Sequence, residues 1–387
     1  MAARGTRWYG LPWHYLLLAA WAAKWFQVMA TPASGGASWH LFTEAGRLLF
    51  GMHPRGGFTA PGGLRLFATY PRFQFGPVTL VTAAALRRLG PDQGLVVAQL
   101  LMTGCGLLIM AVAERTALAA RPDLDREQAR WTVLGAGAVF LPAWSILAVS
   151  FMHLDDVLAL VLATFAVRAV VSGRMAAAGV LLALSAGAKP WAFGFMALLL
   201  APWESSDAGR DRVLRGAAWA AGVTVLLWAP FVLADPGSVA AAKYAIPNAK
   251  DSGLRALGVN TPETPPWDRP AQILIGFGLA AVAVRRGRWP AVLLICTSVR
   301  IALDPSTYPY YSAGLVTGAL IWDLMGARRA MPAWTLAAGS MFWGWTAVSG
   351  DHVLAGDMRV GFAVVAAAYT ILAPAAVTRT VGGVVPG

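Results

Sequence analysis

The stretch SFMHLDDVLAL, residues 150–160, places His153, Asp155 and Asp156 between two apolar runs at 131–150 and 157–171. With their flanking residues, runs of this length suffice for a helix to cross ~30 Å of hydrocarbon. Ionisable groups at membrane depth are costly, and they are candidates for function by default. The stretch therefore predicts a pair of membrane helices with a candidate site at the turn between them.

Similar apolar runs extend along the whole chain. The 387 residues are 57% hydrophobic and only 13% charged, which is unusual for a soluble globular protein. The other runs lie at about 13–31, 92–113, 176–201, 216–233, 270–284, 289–303, 312–325, 333–349 and 360–378. The pattern predicts an all-α polytopic membrane protein with about 10–12 membrane segments. We expect one integral domain over residues 1–387, located in the plasma membrane.

The net charge of +12 comes almost entirely from arginine. No stretch offers a soluble basic face, so orientation in the membrane and contact with anionic lipids explain the charge, and no nucleic-acid partner is expected. Cys105 and Cys296 lie within apolar runs and lack metal-ligand spacing. We expect no cofactor, although the aspartate pair leaves room for a divalent metal.

The arginines also predict the orientation. Most of them fall inside if the N-terminus is inside, if the segment 73–90 does not cross, and if the run 176–201 breaks at Lys189-Pro190. This arrangement brings HLDD, Lys189, the first loop at 32–72, the loop at 235–269 and the stretch 304–311 to the outer face. It predicts a cleft that opens to the outside.

Several outer residues have both a structural and a functional interpretation. His153 and Asp156 share a helix face, and Asp155 points about 100° away, where it caps the helix or binds Lys189. Lys189 pairs with one of these carboxylates or binds an anionic ligand. Arg300 and Asp304 are four residues apart, so they pair with each other or hold a phosphate.

The first outer loop is predicted to carry an interfacial helix. Trp39, Phe42, Leu49 and Phe50 form an apolar stripe, and Glu44 and Arg47 lie on a polar face. Glu44 is the only carboxylate between residues 32 and 72, and it either pairs with Arg47 or acts in the site. The aromatic stretches ATYPRFQF and STYPYY predict sugar-stacking walls or interfacial belts.

Together these features resemble the GT-C membrane glycosyltransferases. The resemblance is carried by the first helix, the long outer loop with its YP-x-x-x-x-GP element, the helix HLDDVLALVLATFAVRAVVSGR, and AAAGVLLALSAGAKPWAF. The sequence is similar in particular to the actinobacterial branch of these enzymes, which uses polyprenyl-phosphate sugars and includes mannosyl- and arabinosyltransferases of the cell envelope. The resemblance covers about residues 10–200, and residues 201–387 agree only as variable C-terminal helices.

The resemblance implies an inverting transfer of a sugar from a polyprenyl-phosphate donor to a glycolipid or glycan acceptor. A base takes the proton of the acceptor hydroxyl, and cations surround the donor phosphate. Enzymes of this type usually carry a catalytic aspartate in the first outer loop. Here either Glu44 substitutes, or Asp155 and Asp156 supply the base, or transfer activity has been lost. His153, Lys189 and Arg300 are expected at the phosphate. The expected substrate-lining residues are His40, Tyr70, Gln74, Asp304, Tyr308 and Tyr310.

Two other function classes remain open from the sequence. A multi-pass transporter or flippase of lipid-linked sugars also has many helices and buried charges, but such proteins often show two similar halves, and no second copy of the Lys-Pro break is present. A non-catalytic scaffold of envelope assembly is compatible with the missing loop aspartate.

Overall fold

The computed structural model describes residues 13–30, 35–51, 62–203, 207–347, 350–374 and 376. Within these ranges the chain forms helices, turns and loops, and no strand is present beyond one isolated bridge between Pro247 and Glu263. The prediction of an all-α protein is confirmed for the described part of the chain.

The α-helices are numbered in chain order. They are α1 (Trp13–Met29), α2 (Trp39–Leu49), α3 (Leu66–Thr69), α4 (Pro77–Arg87), α5 (Pro91–Ala120), α6 (Arg126–Ser145), α7 (Leu154–Val171), α8 (Met175–Ala188), α9 (Asp207–Ala234), α10 (Gly253–Ala256), α11 (Asp268–Arg285), α12 (Val292–Leu303), α13 (Ser312–Ile321), α14 (Ala333–Ala347) and α15 (His352–Leu372).

Four described helical stretches are long and apolar enough to cross a membrane. They are Gln93–Ala120, Arg126–Ser150, Asp207–Ala234 and His352–Leu372, judged by length and composition. Helix α9 leaves large apolar side chains such as Leu226 and Leu233 exposed, which suits contact with lipid. These features support insertion in a membrane.

Helix α4 occupies the segment that the arginine pattern requires not to cross. Its 11 residues span about 17 Å, roughly half of the hydrocarbon thickness. It packs closely on α2, because a Cβ at Gly46 would lie 3.0 Å from the backbone nitrogen of Ala84. Helix α4 is therefore too short to cross the membrane alone.

Helix α2 buries other side chains than the predicted interfacial helix would. Trp39, Phe42 and Leu48 are buried, whereas Phe50 lies beyond the helix end and is exposed. Arg47, predicted on a solvated face, is also buried. The helix packs against α4. Its apolar stripe therefore contacts other parts of the protein, whereas the sequence suggested contact with the membrane.

The run 176–201 breaks at Lys189-Pro190, as predicted. Helix α8 ends at Ala188, Lys189 is extended with φ −140° and ψ 117°, and a 3₁₀ helix follows over Pro190–Leu200. The Ala188 carbonyl accepts hydrogen bonds from the Gly76 backbone N–H at 2.8 Å and from Thr79 Oγ1 at 3.1 Å. These bonds fix the break beside α4 and so fix the position of Lys189.

Candidate functional site

The backbone that leads into HLDD is irregular. A π-helix runs over Ile146–Ser150, and Met152 has φ +55°, the one positive value among the described non-glycine residues. Both features occur preferentially at functional sites, because the surrounding structure must stabilise them. The irregular backbone therefore makes the turn between the two predicted membrane runs a candidate functional site.

The loop between α1 and α4 binds directly to this turn. The backbone N–H of Gly36 donates to the Val149 carbonyl at 3.0 Å, and that of Ser38 donates to the Phe151 carbonyl at 3.0 Å. Gln99 Nε2 donates to the same Val149 carbonyl at 3.0 Å. These donors satisfy carbonyls that the irregular turn leaves free. The first loop and the turn thus form one unit.

Asp155 is buried in the first turn of α7 and has the two roles that the sequence suggested as alternatives. Its Oδ1 accepts a hydrogen bond from the Asp156 backbone N–H at 2.9 Å. Its Oδ2 forms an ion pair with Lys189 Nζ. The side chain therefore stabilises the helix start and compensates the lysine charge.

Asp156 pairs with a residue of the C-terminal half. Its Oδ1 accepts from Arg300 Nη1 at 2.8 Å and from Trp191 Nε1 at 2.9 Å. The Arg300 guanidinium lies over the rings of Trp191 and Tyr311, 4.4 and 4.6 Å from their centroids. The predicted pair of Arg300 with Asp304 is present but longer, at 3.8 Å, so Asp156 is the main partner of this arginine.

His153 lies between the two carboxylates. Its Nδ1 is 3.3 Å from Asp155 Oδ1 and 3.5 Å from Asp156 Oδ2. The expected proximity of His153 and Asp156 is present. Asp155, which was expected to point about 100° away, also lies beside the ring, because His153 precedes the helix. Its Nε2 is 3.2 Å from Ser38 Oγ of the first loop. We call His153, Asp155, Asp156, Lys189 and Arg300 the HLDD cluster.

The carboxylates shift the proton affinity of His153, which lies in the turn before α7. Burial lowers the pKa of His153, and the hydrogen bonds and charges of Asp155 and Asp156 raise it by more. The net shift is upward from the ordinary value of 6.5. The arrangement therefore stabilises the imidazolium that forms when His153 takes up a proton.

An aromatic wall covers one side of His153. The Tyr310 ring stacks on the imidazole with centroids 3.8 Å apart, and Tyr308 stacks on Tyr310 at 5.5 Å. Tyr308 is half exposed, while Tyr310 is buried. The two tyrosines predicted to line the site thus lead from the protein surface to the imidazole.

A cleft adjoins this wall at Tyr308. Its lining includes Tyr308, Tyr311, Met341, Met358 and Arg359. Asp304 lies in the loop that leads to the wall, where its Oδ1 accepts from the Ser306 backbone N–H at 2.9 Å. Burial raises the pKa of Asp304 above its ordinary value. The cleft is mostly apolar and small, with a volume of about 30 Å³.

The remaining predicted residues lie around the first loop. Glu44 Oε2 is 3.3 Å from Arg47 Nε, which matches the pairing that the sequence offered as its structural role. His40 is exposed and Gln74 is half-buried. A series of ring contacts runs from Tyr70 to the imidazole of His153 through Phe73, Phe75 and Phe42.

Sequence reasoning missed four residues of the site: Trp191, Tyr311, Ser38 and Phe42. Trp191 directly follows Lys189-Pro190, and Tyr311 ends the predicted aromatic stretch. Both residues could have been predicted from their position next to a candidate site residue. The contacts of Ser38 and Phe42 with His153 join residues more than a hundred positions apart, and no local pattern marks them.

The HLDD cluster contains a possible metal-ligand set. One ligand atom from each of His153, Asp155 and Asp156 lies within 4.8 Å of the others. These residue types suit a divalent cation. However, Lys189 and Arg300 already pair with the two carboxylates, and a metal ion would have to displace these positive charges.

Comparisons of the chain with models of known protein families, with curated proteins and with solved structures found no match. The chemistry of the site itself is therefore the basis for a functional interpretation.

Proposed function

We propose that this protein is a multi-pass plasma-membrane glycosyltransferase with about 10–12 membrane segments and a cleft that faces the outside. It moves a mannose- or arabinose-like sugar from a polyprenyl-phosphate donor to an envelope glycolipid or glycan. The observation that carries the proposal is the position of His153, with Nδ1 toward two buried carboxylates and Nε2 toward the first outer loop.

His153 is the base in this proposal. A histidine that holds one nitrogen against carboxylates has a fixed ring orientation, and its other nitrogen is the proton acceptor. Asp155 and Asp156 then stabilise the imidazolium that forms. Asp155 Oδ2 already binds Lys189, and Asp156 Oδ1 already binds Arg300 and Trp191. These pairs with cations make both carboxylates weaker proton acceptors. The His153 side chain is 15% exposed, so it is accessible where the carboxylates are not.

The chemical step balances without a cofactor. The acceptor hydroxyl oxygen forms a bond to the anomeric carbon, and its proton passes to His153 Nε2. The bond between the anomeric carbon and the phosphate oxygen breaks, and its electron pair stays on the phosphate. The leaving group is the polyprenyl phosphate, and attack from the opposite face inverts the anomeric configuration.

Lys189 and Arg300 supply positive charge for the phosphate as it leaves. Lys189 is the more accessible cation, with 16% of its side chain exposed. Tyr308 and Tyr310 offer ring faces on which a sugar can stack. Glu44 is the rival base, favoured by the resemblance and opposed by its ion pair with buried Arg47.

The donor class tests the proposal. Purified protein in nanodiscs is given an acceptor membrane extract and either a polyprenyl-monophosphate sugar or a nucleotide sugar, and the glycosylated product is measured by mass spectrometry. We expect transfer from the lipid donor alone, and none from His153→Gln protein. Transfer from the nucleotide sugar alone contradicts the proposal. No transfer from either donor also contradicts it and favours a transporter or a scaffold.

A further inference from the structure

A second pocket, which is polar, lies outside the HLDD cluster on the loop at 235–269. Its volume is about 300 Å³. Its lining residues are Lys250, Arg255, Ala256, Asn260, His352 and Val353. Three of the six are basic, and none is acidic.

The loop that carries Lys250 and Arg255 is rigidly held. Buried Asn248 donates through Nδ2 to the carbonyls of Val259 at 3.0 Å and Thr261 at 3.1 Å. Its Oδ1 accepts from Ser252 Oγ at 2.7 Å, and the Ala249 backbone N–H donates to the Pro305 carbonyl at 2.8 Å. The basic side chains therefore project from a preformed frame.

Helix α10, which contains Arg255, is fixed equally firmly. A Cβ at Gly253 would lie 2.2 Å from the Ala302 carbonyl oxygen of α12. A Cβ at Gly356 of α15 would lie 2.7 Å from the Ser252 carbonyl oxygen. Only glycine permits contacts this close, so the pocket between α10 and α15 has a defined shape.

Among the described residues, the basic side chains of the pocket are not held in ion pairs, although Asp251 and Asp351 are their neighbours in the chain. In the described part of the chain, no carboxylate forms an ion pair with Lys250, Arg255 or His352. Asp351, next to His352, instead accepts from the backbone N–H groups of Val353 and Leu354 at 3.0 Å each.

Arg255 also retains an unused donor. Its Nε is buried and has no hydrogen-bond partner. Its Nη2 makes one long contact, 3.4 Å to the Asn248 carbonyl. A buried guanidinium N–H without an acceptor costs free energy, and the same guanidinium side chain lines the pocket.

We propose that this pocket binds the phosphate group of an anionic ligand. Arginine presents a planar fork that matches phosphate, and lysine adds a point charge. The phosphate can belong to a lipid headgroup or to a soluble molecule. The site is separate from the HLDD cluster and does not depend on the proposed transfer reaction.

Two binding measurements distinguish the sources. In the first, protein in phosphatidylcholine nanodiscs is titrated with inorganic phosphate by calorimetry at constant ionic strength. In the second, detergent-solubilised protein is titrated with phosphatidylglycerol, and bound lipid is counted by native mass spectrometry. The variant Lys250→Gln/Arg255→Gln is compared with Arg285→Gln/Arg286→Gln, which removes the same charge from an exposed turn.

We expect saturable binding in at least one measurement, weakened at least roughly tenfold in Lys250→Gln/Arg255→Gln and almost unchanged in the control. Binding of phosphate identifies a soluble ligand, and binding of the lipid alone identifies a headgroup. If the first variant does not fold, Lys250→Gln/His352→Gln alters only exposed side chains and should also weaken binding. Absence of saturable binding in both measurements, or an equal loss in the control, overturns the proposal.

Discussion

Arg300 Nη1 donates to Asp156 Oδ1 at 2.8 Å, although the two residues are 144 positions apart in the chain. The bond joins the start of α7 to α12, a helix whose residues are all buried. The HLDD cluster is therefore assembled from both halves of the protein, and residues after 200 contribute to the site directly.

The first prediction concerns this pair. Asp156→Asn leaves the buried Arg300 charge without its main partner, and breaking a buried pair typically costs about 3–5 kcal/mol. We expect a clearly lower melting temperature in detergent. The double variant Asp156→Asn/Arg300→Met removes both charges and should lose less stability than the sum of the two single variants. Additive losses would mean that the two side chains are not coupled.

The second prediction concerns the contact between α8 and α9. A Cβ at Gly179 would lie 2.1 Å from the Gly216 carbonyl oxygen. Gly179→Ala should therefore force the helices apart and cost about 1–3 kcal/mol, visible as a lower melting temperature. Gly222→Ala on α9 is the matched control, because nothing lies within 4 Å of its Cβ. Equal melting temperatures for the two variants would contradict the close packing.

The third prediction concerns orientation. In a background without Cys105 and Cys296, Glu263→Cys should react with a membrane-impermeant maleimide applied to intact cells, and Asp211→Cys should not. Both positions are exposed in the structure, so accessibility from the outside is the only difference tested. Labelling of Asp211→Cys without Glu263→Cys would reverse the orientation.

The fourth prediction concerns pH. His153 acts as a base only when it is neutral, and its pKa is raised above the ordinary value of 6.5 by Asp155 and Asp156 against the opposing effect of burial. Because a raised pKa keeps the ring protonated to higher pH, kcat/KM should rise with pH along a limb centred above 6.5. In Asp155→Asn the limb should move to lower pH. A profile without this limb would contradict the role of His153.

Local features of the site were predictable from the sequence, and its distant contacts were not. The break at Lys189-Pro190 and the pair of Lys189 with an HLDD aspartate follow from a proline within an apolar run and from the cost of an unpaired buried charge. The bond of Arg300 to Asp156 depends on how α12 packs against α7. The carboxylates approach His153 directly after Met152, whose φ is positive, and a methionine gives no sequence signal for that conformation.

The central claim is that His153, held by Asp155 and Asp156, is the base of a sugar transfer. The most direct measurement compares His153→Gln with Glu44→Gln in the assay with the polyprenyl-monophosphate sugar, with melting temperatures recorded for both. Loss of a general base costs roughly 10²–10⁴-fold in rate. We expect that loss in His153→Gln at a melting temperature close to that of the unaltered protein, and nearly full activity in Glu44→Gln. Full activity in His153→Gln, with the large loss in Glu44→Gln, would contradict the claim and make Glu44 the base.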